Sequence, residues 1–281
     1  MRKYCVIGNP VGHSKSPQLF ERYSGERGYV YGKDVEYLRN EITNIEELEA
    51  FVKELKQGVW AGCNVTMPWK TEMIKFMDDV SDTARVTGAV NTVSSKRGHL
   101  YGDSTDGRGM LNAVKEISGK ERTGSLVILG CGGAARSIIA EAVIKKTGKL
   151  TIVCRGVSDE VTKEGSNLDI TLKMLDRIKT SNTEIVFIDS SDVEGTEASI
   201  DEAEVLINST PLGMIDGNGN EDKLPLSENI RFHKSLIVAD CVYNPDETLL
   251  IKKALESGCR VVKGIRMLEE QAKCGVDLLL G

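Results

Sequence analysis

A glycine-rich turn, Gly130-Cys131-Gly132-Gly133-Ala134, separates a short apolar run from a helical pattern. Gly130 permits a tight turn, and Gly132 lets the backbone come within hydrogen-bonding distance of a pyrophosphate. A helix that begins near Ala134 presents free N–H groups and the positive end of its dipole to that anion. The pattern therefore predicts a dinucleotide-binding site in preference to an ordinary turn at a strand end.

The end of the next predicted strand, about 20 residues after the turn, carries Arg155 and Asp159. A guanidinium matches phosphate geometry, so Arg155 can pair with the 2′-phosphate of NADP. Asp159 can instead accept a hydrogen bond from the 2′-hydroxyl of NAD. A solvated loop charge is the alternative for both residues, and for Asp159 alone it is the favoured one.

Four polar clusters follow predicted strand ends in the first part of the chain, and open α/β sheets bind ligands at such ends. Each cluster has a plain structural alternative, because Ser16 and Asp106 can cap helices and Lys70 can lie on a solvated helix face. Together they supply hydroxyls, amides, one ammonium and one carboxylate, a set suited to a polyhydroxylated small acid. The clusters are Ser14-Lys15-Ser16-Pro17, Asn64-Val65-Thr66-Met67-Pro68-Trp69-Lys70, Ala89-Val90-Asn91-Thr92 and Asp103-Ser104-Thr105-Asp106-Gly107.

Short apolar runs alternate with helical patterns along almost the whole sequence, which is typical of α/β architecture. The pattern predicts two lobes. Residues 1–105 form an α/β lobe with the polar clusters, and residues 106–264 form a Rossmann-like, doubly wound lobe with the glycine turn. The last predicted helix is expected to return to the first lobe, which would pack 265–281 there.

Helix caps and chain breaks predict several element boundaries. Ser16 is the predicted N-cap of the first helix, with Pro17 as its first helical residue. A hairpin is predicted at 91–102. Other predicted strands lie at 35–39, 60–66, 150–154, 184–188, 205–208, 236–242 and 260–262, and predicted helices lie at 45–56, 137–146, 246–256 and 267–280.

The composition, with 40% hydrophobic and 28% charged residues, is that of a globular protein. A formal net charge of −6 disfavours a nucleic-acid partner. No apolar run approaches the roughly 18 residues needed to span a bilayer, and the short apolar stretch near Met1 predicts a first strand rather than a signal peptide. Seven cysteines without a Cys-x-x-Cys pair and only three histidines predict no metal site and favour reduced thiols in the cytoplasm.

The four clusters and the glycine turn, in this order, resemble the shikimate dehydrogenase family over essentially the whole chain. The resemblance implies an NADP-dependent oxidoreductase that acts on a CH–OH group. Its reaction would be the reversible reduction of 3-dehydroshikimate to shikimate, in the biosynthesis of chorismate and aromatic amino acids. Three later segments extend the resemblance: Asn208-Ser209-Thr210-Pro211-Leu212-Gly213-Met214, Asp240-x-x-Tyr243-Asn244-Pro245 and Gly264-x-x-Met267-Leu268-x-x-Gln271.

The resemblance also implies roles for individual residues, with 1–105 binding the substrate and 106–264 binding NAD(P). In the family, the residues that match Ser14, Ser16 and Tyr243 hold the substrate carboxylate. Those that match Lys70 and Asp106 form the catalytic pair. Residues that bind or border the ring hydroxyls match Asn64, Thr66, Asn91, Asp106 and Gln271. The cofactor-binding residues expected here are Gly130, Cys131, Gly132, Gly133, Ala134, Arg155, Asp159, Cys241 and Gly264.

The chemistry of such a reaction supports a proton-transferring pair. Hydride transfer from a secondary alcohol to nicotinamide requires the hydroxyl proton to leave as the carbonyl forms. Because the sequence offers no metal constellation, a side chain must accept that proton. In the reducing direction a lysine ammonium is the acid required. We therefore expect Lys70 to transfer the proton, while Asp106 orients Lys70 and holds a substrate hydroxyl.

One strand end departs from the family pattern. Family members that use NADP commonly carry Asn-Arg-Thr there, whereas this sequence carries Cys154-Arg155-Gly156. Asp159 and the run at 241–245 are more similar to the quinate/shikimate dehydrogenase branch, some members of which accept NAD. NADP is thus the expected cofactor, with NAD as the alternative and quinate as a second substrate. Cys131 replaces a frequent alanine, and its thiol would make the site sensitive to alkylation.

The sequence leaves three alternative functions open. The nearest is a quinate/shikimate dehydrogenase that uses NAD or NADP. A non-catalytic sensor of the same pathway is disfavoured by Lys70 and Asp106, which binding alone would not require. A folate-linked dehydrogenase of similar two-lobed plan would not explain the cluster at 14–17. In each case we expect a small-molecule substrate, no nucleic acid or membrane partner, and a monomer or homodimer.

Overall fold

A computed structural model describes residues 1–178, 182–215 and 217–281. The chain divides into two compact units. The first unit contains Met1–Thr105 and Gln271–Gly281, and the second contains Asp106–Glu270. The chain therefore leaves the first unit once, between Thr105 and Asp106, and returns to it within its last helix.

The first unit alternates strands with helices and then forms a hairpin. Its strands are β1 (Arg2–Gly8), β2 (Val35–Glu41), β3 (Gly62–Val65), β4 (Asp79–Val80), β5 (Thr92–Lys96) and β6 (His99–Asp103). Its helices before residue 106 are α1 (Ser16–Glu26), α2 (Ile45–Lys56), α3 (Lys70–Met73) and α4 (Asp82–Thr87). The predicted hairpin at 91–102 is confirmed as the antiparallel pair β5 and β6.

The sheet of the first unit has the order β2-β1-β3-β5-β6-β4. β1 runs parallel to both β2 and β3, so the carboxyl ends of these three strands lie at one edge. Alternate residues of β1 enter different core clusters: Tyr4 packs in one cluster, and Cys5 and Ile7 pack in the other. This alternation follows from the two-residue period of a strand. The polar clusters of the sequence follow the shared edge.

The second unit carries the regular alternation that the sequence predicts from residue 106 onward. Its strands are β7 (Ser125–Leu129), β8 (Lys149–Cys154), β9 (Glu184–Asp189), β10 (Val205–Asn208), β11 (Ile237–Asp240) and β12 (Arg260–Val262). Its helices are α5 (Asp106–Ser118), α6 (Gly133–Ile144), α7 (Asn167–Leu175), α8 (Val193–Asp201), α9 (Leu249–Glu256) and α10 (Gly264–Leu280). α10 begins in the second unit and ends in the first.

The sheet of the second unit is parallel and has the order β12-β11-β10-β7-β8-β9. The chain order reverses between β7 and β10, which are neighbours in the sheet. Open α/β sheets bind ligands outside the carboxyl ends of the strands at such a reversal. This doubly wound topology confirms the predicted Rossmann-like lobe, and the glycine turn follows β7 at the reversal.

Several predicted boundaries are wrong for identifiable reasons. Ser16 is the first helical residue of α1 rather than its N-cap, because the hydroxyl of Ser14 already accepts the Ser16 N–H. The strand predicted at 236–242 ends at Asp240, whose carboxylate accepts the Val242 N–H and turns the chain. The helix predicted from 246 begins after Thr248, which caps it through its hydroxyl. The helices α4, α7 and α8 were not predicted from the sequence.

Three further observations bear on the kind of site the chain can hold. None of the helices in the described ranges is long and apolar enough to cross a membrane. Among the same residues, no group of three or more His, Cys, Asp and Glu side chains is placed to hold a metal ion. All seven cysteines are free thiols, and most of them are buried.

Candidate active site

A buried network of amides and hydroxyls lies in the first unit, just before β5. Asn91, which is 4% exposed, donates from Nδ2 to Thr105 Oγ1 (3.1 Å) and to Gln271 Oε1 (3.2 Å). Its Oδ1 accepts from the Thr105 N–H (2.9 Å) and from Thr92 Oγ1 (3.1 Å). The structure thus places two predicted substrate-binding residues, Asn91 and Gln271, in direct contact across 180 positions of sequence.

Asn64, on β3, belongs to the same network. Its Nδ2 donates to Thr92 Oγ1 (3.0 Å) and to the backbone oxygen of Asn91 (3.3 Å). Its Oδ1 accepts a hydrogen bond from the Tyr37 hydroxyl (2.7 Å). Because both N–H donors of the amide are engaged, Asn64 can offer a ligand only the remaining acceptor capacity of Oδ1. That capacity matches the O–H of a ring hydroxyl.

Ser14 and Ser16 lie side by side at the start of α1, and both are half-buried. Ser14 Oγ donates to Ser16 Oγ (3.1 Å) and accepts the Ser16 N–H (3.2 Å). The guanidinium of Arg39, on β2, donates to the backbone oxygen of Ser14 (2.7 Å). Two adjacent hydroxyls beside a fixed positive charge are suited to an anion such as a carboxylate.

Lys70 is the first residue of α3 and is half-buried. Its backbone oxygen accepts a hydrogen bond from the Val90 N–H (3.0 Å), one position before Asn91 in the network. Thr66 packs closely against β1, since a Cβ at Gly8 would lie 2.3 Å from Thr66 Cγ2. Only glycine fits at that position without displacing Thr66. The backbone therefore attaches the segment with Thr66 and Lys70 to the polar network.

Asp106 is the first residue of α5 and of the second unit, one peptide bond after Thr105 of the network. The next residue, Gly107, has a packing role. A Cβ at Gly107 would lie 2.0 Å from the backbone oxygen of Ser137 on α6, so only glycine allows this approach of the two helices. The motif Thr105-Asp106-Gly107 thus combines a network hydroxyl, a carboxylate and a packing glycine.

The glycine turn leads from β7 directly into α6. Gly130 has φ +98°, a conformation that favours glycine, and a Cβ there would lie 3.0 Å from Thr210 Cγ2. Gly132 is the N-cap of α6, and no side chain caps the N–H groups of the first turn, which includes Ala134. A Cβ at Gly132 or Gly133 would meet no atom within 4 Å. Open space at an uncapped helix N-terminus fits the pyrophosphate of a dinucleotide.

Cys131 is buried within this turn, and its thiol is hydrogen-bonded to the thiol of Cys154 at the end of β8. That bond, together with the charges of Arg136 and Arg155, lowers the pKa of the Cys131 thiol to about 7. The backbone oxygen of Cys131 accepts hydrogen bonds from Thr171 Oγ1 (3.0 Å) and Arg136 Nη1 (3.1 Å). These contacts stabilise the backbone conformation of the turn.

Arg155 and Asp159 lie on the exposed loop after β8. Gly156 has φ +84°, and a Cβ there would lie 3.2 Å from Asp159 Oδ2, so the Asp159 carboxylate folds back over the loop. Asp189, at the end of β9, accepts hydrogen bonds from the N–H groups of the two residues after Gly156 (2.9 and 3.2 Å). Hydrogen bonds from Ser191 and from these N–H groups hold the pKa of Asp189 well below its usual range.

A second buried network holds the loops after β10 and β11. Asp240 is fully buried and accepts hydrogen bonds from Asn208 Nδ2 (2.9 Å), the Val242 N–H (2.9 Å) and Thr248 Oγ1 (2.7 Å). Burial nevertheless raises the pKa of Asp240 to about 6. Asn208 Oδ1 also accepts the Thr210 N–H (3.0 Å). Two of the sequence motifs, at 208–214 and 240–245, thus contribute residues that hold these loops.

Cys241, Tyr243 and Gly264 meet at the loop after β11. The Cys241 N–H donates to the backbone oxygen of Asn208 (2.9 Å), and burial raises the pKa of the Cys241 thiol. Gly264 is the first residue of α10, and a Cβ at this position would lie 2.2 Å from the backbone oxygen of Val242. Glycine is therefore required where α10 starts against this loop. The Tyr243 side chain is 47% exposed.

Comparisons with known proteins agree with these features. The family model described as the shikimate dehydrogenase substrate binding domain matches residues 6–93. A shikimate dehydrogenase (NADP(+)) of Streptococcus pneumoniae is 34% identical over 288 residues, which cover 100% of this chain and 92% of that protein. This chain belongs to the shikimate dehydrogenase family. The family and the two-lobed α/β fold predicted from the sequence are therefore confirmed.

Solved structures of related enzymes share the fold over the full length of this chain. Shikimate 5-dehydrogenase from Listeria monocytogenes, in complex with shikimate and NAD, is 29% identical with a TM-score of 0.86, covering 100% of this chain and 92% of that one. A 5-ketofructose reductase of Gluconobacter sp. strain CHM43 is 28% identical with a TM-score of 0.81, covering 100% and 93%. The same fold thus carries reductases named for different substrates.

Sequence reasoning did not find two residues that lie beside the predicted sites of this shikimate dehydrogenase family member. Tyr37 contacts Asn64, but a tyrosine in an alternating strand pattern is equally typical of a hydrophobic core. Asp189 holds the loop that carries Arg155, but it lies in the segment 157–196, which matches no motif. Only their contacts with residues distant in sequence reveal them.

Proposed function

We propose that this protein catalyses the reversible, NADP-dependent reduction of 3-dehydroshikimate to shikimate. The observation that carries the proposal is the buried amide and hydroxyl network around Asn91, in a chain with full-length similarity to a shikimate dehydrogenase (NADP(+)). Neutral amides and hydroxyls that are already oriented can recognise ring hydroxyls without the cost of ordering flexible side chains. This arrangement suits a small polyhydroxylated ring.

Substrate binding is assigned to residues of complementary chemistry. Ser14 and Ser16 would donate hydrogen bonds to the substrate carboxylate, and the resemblance assigns Tyr243 to the same group. Asn64 Oδ1 would accept a hydrogen bond from a ring hydroxyl. The other residues that would bind or border the ring hydroxyls are Thr66, Asn91, Asp106 and Gln271. We propose that 1–105 with 265–281 serve the substrate and that 106–264 serve the cofactor.

Proton transfer is assigned to Lys70 and Asp106. In reduction, the carbonyl oxygen gains a proton as the carbon gains a hydride, so an acid must stand at that oxygen. The Lys70 ammonium would give this proton and take it back in the oxidising direction. The Asp106 carboxylate would orient Lys70 and accept a hydrogen bond from a neighbouring hydroxyl.

Cofactor binding is assigned to the glycine turn and the loop after β8. The nicotinamide cofactor supplies or accepts the hydride when bound. The backbone of 130–134 would hold its pyrophosphate, and Cys241 and Gly264 would border it. Arg155 would pair with the 2′-phosphate of NADP. Asp159, folded over the same loop, would instead favour the 2′-hydroxyl of NAD, so the choice between the two cofactors depends on this loop.

A four-way activity assay tests the proposal. Absorbance of the reduced nicotinamide is followed with shikimate or quinate, each with NADP or NAD. We expect the largest kcat/KM with shikimate and NADP. Turnover of quinate with NAD at a larger kcat/KM would instead establish the quinate dehydrogenase alternative. No turnover in any combination, with shikimate still bound, would contradict catalysis and establish a sensor.

We also propose that the protein is cytoplasmic and that it is a monomer or a homodimer.

A further inference from the structure

The side chain of Tyr37 places a single hydroxyl at the border of an aromatic cluster and the polar network. Its ring is 2% exposed and packs on Phe20 at a centroid distance of 4.7 Å, and Phe20 packs on Tyr4 at 5.0 Å. Its hydroxyl donates to Asn64 Oδ1 (2.7 Å) and is also a hydrogen-bond partner of the Ser16 side chain. One phenol thus contacts a residue assigned to the carboxylate and a residue assigned to the ring hydroxyls.

The short hydrogen bond from Tyr37 and the backbone oxygen of Asn91 together determine which way the Asn64 amide points. With Oδ1 accepting from the phenol, Nδ2 must face the opposite side, where it donates to Thr92 Oγ1 (3.0 Å) and Asn91 O (3.3 Å). An amide turned by 180° would place its N–H₂ against the phenol. The Thr92 hydroxyl would then lose its donor.

The orientation passes from Asn64 through the rest of the network. Thr92 Oγ1 accepts from Asn64 and gives its own proton to Asn91 Oδ1 (3.1 Å). Asn91 Nδ2 then faces Gln271 Oε1 (3.2 Å). Asn91 Oδ1 also accepts the Thr105 N–H (2.9 Å), so two independent bonds favour the same direction of the Asn91 amide in this network of neutral groups.

The Tyr37 hydroxyl stays a donor because burial raises its pKa well above the ordinary value. The phenol therefore stays protonated near neutral pH, and its hydrogen bond to Asn64 keeps one direction there. A neutral, permanently protonated phenol is suited to fixing an amide orientation.

We infer that Tyr37 is a positioning residue, which orients the Asn64 amide for the substrate and, through Asn64 and Thr92, supports the hydrogen-bonded arrangement of Asn91 and Gln271. This inference rests on the proposed function, since it assigns these residues to a polyhydroxylated acid. Tyr37 acts through its neighbours and is not itself assigned a contact with the reacting atoms.

The variant Tyr37→Phe removes only the hydroxyl and keeps the ring packing. Tyr4→Phe is the matched control, since Tyr4 lies in the same aromatic cluster and its hydroxyl donates to a backbone oxygen, that of Leu279 (3.1 Å). We expect Tyr37→Phe to raise the KM for shikimate about tenfold with kcat changed less than about twofold, as for a lost orienting hydrogen bond. Tyr4→Phe should leave both constants unchanged.

A double-mutant cycle with Asn64→Ala tests whether Tyr37 acts through that amide. In the Asn64→Ala background, we expect Tyr37→Phe to raise the KM less than about twofold further, since two residues in one network are not additive. An equal effect of Tyr37→Phe in both backgrounds, or equal KM values for Tyr37→Phe and Tyr4→Phe, would overturn the inference.

Side-chain amide NMR supplies a readout that does not depend on catalysis. We expect Tyr37→Phe to shift the Asn64, Asn91 and Gln271 side-chain N–H signals, and Tyr4→Phe to leave them in place. If the unmodified protein fails to turn over shikimate, the proposed function fails, while the amide shifts still decide whether Tyr37 orients the network. Unshifted amide signals in folded Tyr37→Phe would overturn the inference in either case.

Discussion

The two units build their candidate ligand surfaces from different parts of the chain. In the first unit the surface consists of side chains, and Asn64, Asn91 and Gln271 are held by hydrogen bonds to one another and to threonines. In the second unit it consists of backbone, where Gly132 and Gly133 leave open space at an uncapped helix end. Recognition by side chains depends on each residue's identity, whereas recognition by backbone depends on keeping side chains away.

The ionisable groups of the two units also differ in role. The network of the first unit is neutral, so its hydrogen bonds do not change with pH. In the second unit the corresponding network centres on Asp240, a buried carboxylate that holds two loops after neighbouring strands. The second unit should therefore respond to pH through its loops, while the network of the first unit should not respond to pH.

The substitution Lys70→Ala should lower catalytic activity more than any other substitution considered below. Loss of a general acid lowers kcat by about 10²- to 10⁴-fold, with a modest change in the KM for shikimate. Steady-state kinetics in both directions measure this effect. Lys75→Ala is the control, because Lys75 lies on the same short segment and pairs with Glu72 at the surface (2.6 Å). A near-normal kcat for Lys70→Ala would contradict the assignment.

The substitution Asp240→Asn tests the charged network of the second unit. The pKa of Asp240 is about 6 in the folded state and near 3.9 in an unfolded chain, so the folded state holds the proton more tightly. Its stabilising contribution is present below pH 4 and is lost as the pH rises through 6. Relative to Asp240→Asn, the free energy of unfolding of the unmodified protein should fall by about 2 kcal/mol between pH 4 and 7.

Urea unfolding of both proteins at several pH values measures that difference, and any constant effect of the substitution cancels in the pH dependence. Parallel curves for the two proteins would show that Asp240 does not titrate between these pH values. The distinction between a neutral and a titrating network would then be wrong.

The substitution Gly132→Ala tests the proposal that the second unit binds the cofactor pyrophosphate through its backbone. A methyl group there meets no atom of the chain within 4 Å and the backbone φ of −75° allows alanine, so the fold should be unaffected. The methyl would occupy the space assigned to the pyrophosphate, and we expect the KM for NADP to rise about tenfold. The KM for shikimate should stay constant.

Gly25→Ala, a change on α1 that also meets no atom within 4 Å, is the matched control for both thermal stability and kinetics. An unchanged KM for NADP in Gly132→Ala would mean that no ligand approaches this part of the turn.

Alkylation of Cys131 tests the lowered pKa of its thiol, which is the smallest of the four expected effects. With a pKa of about 7, the Cys131 thiol should react with iodoacetamide half-maximally near neutral pH, and NADP should slow the reaction. Because the hydrogen bond from Cys154 is the main cause of the lowered pKa, Cys154→Ala should move the midpoint to higher pH. Mass spectrometry of labelled peptides follows each thiol. An unmoved midpoint would exclude the thiol pair as the cause.

The glycine turn and the polar clusters could be predicted because their signals are local. Gly130 follows an apolar run and precedes a helical pattern within a few residues, and the structure shows that a Cβ there would meet Thr210. The N-cap predicted at Ser16 was wrong by one position, because α1 begins at Ser16 after Lys15, and only the fold shows that Ser14 accepts the Ser16 N–H.

Contacts between distant segments could not be predicted in this way. Gln271 could be assigned to the substrate only by resemblance, and its partner Asn91 lies 180 positions away. The thiol pair of Cys131 and Cys154 depends on the parallel pairing of β7 with β8. Asp189 holds the loop after β8 only because β9 is the next strand in the sheet.

The sequence alone determined the family, the two-lobed α/β plan, the glycine turn after β7 and the residue types available for proton transfer. The tertiary structure alone decided that Asn64, Asn91 and Gln271 form one hydrogen-bonded network in contact with Tyr37. The reason is physical. Strand and helix periods specify which face a side chain occupies, but the direction of a hydrogen bond between two faces depends on how the elements pack.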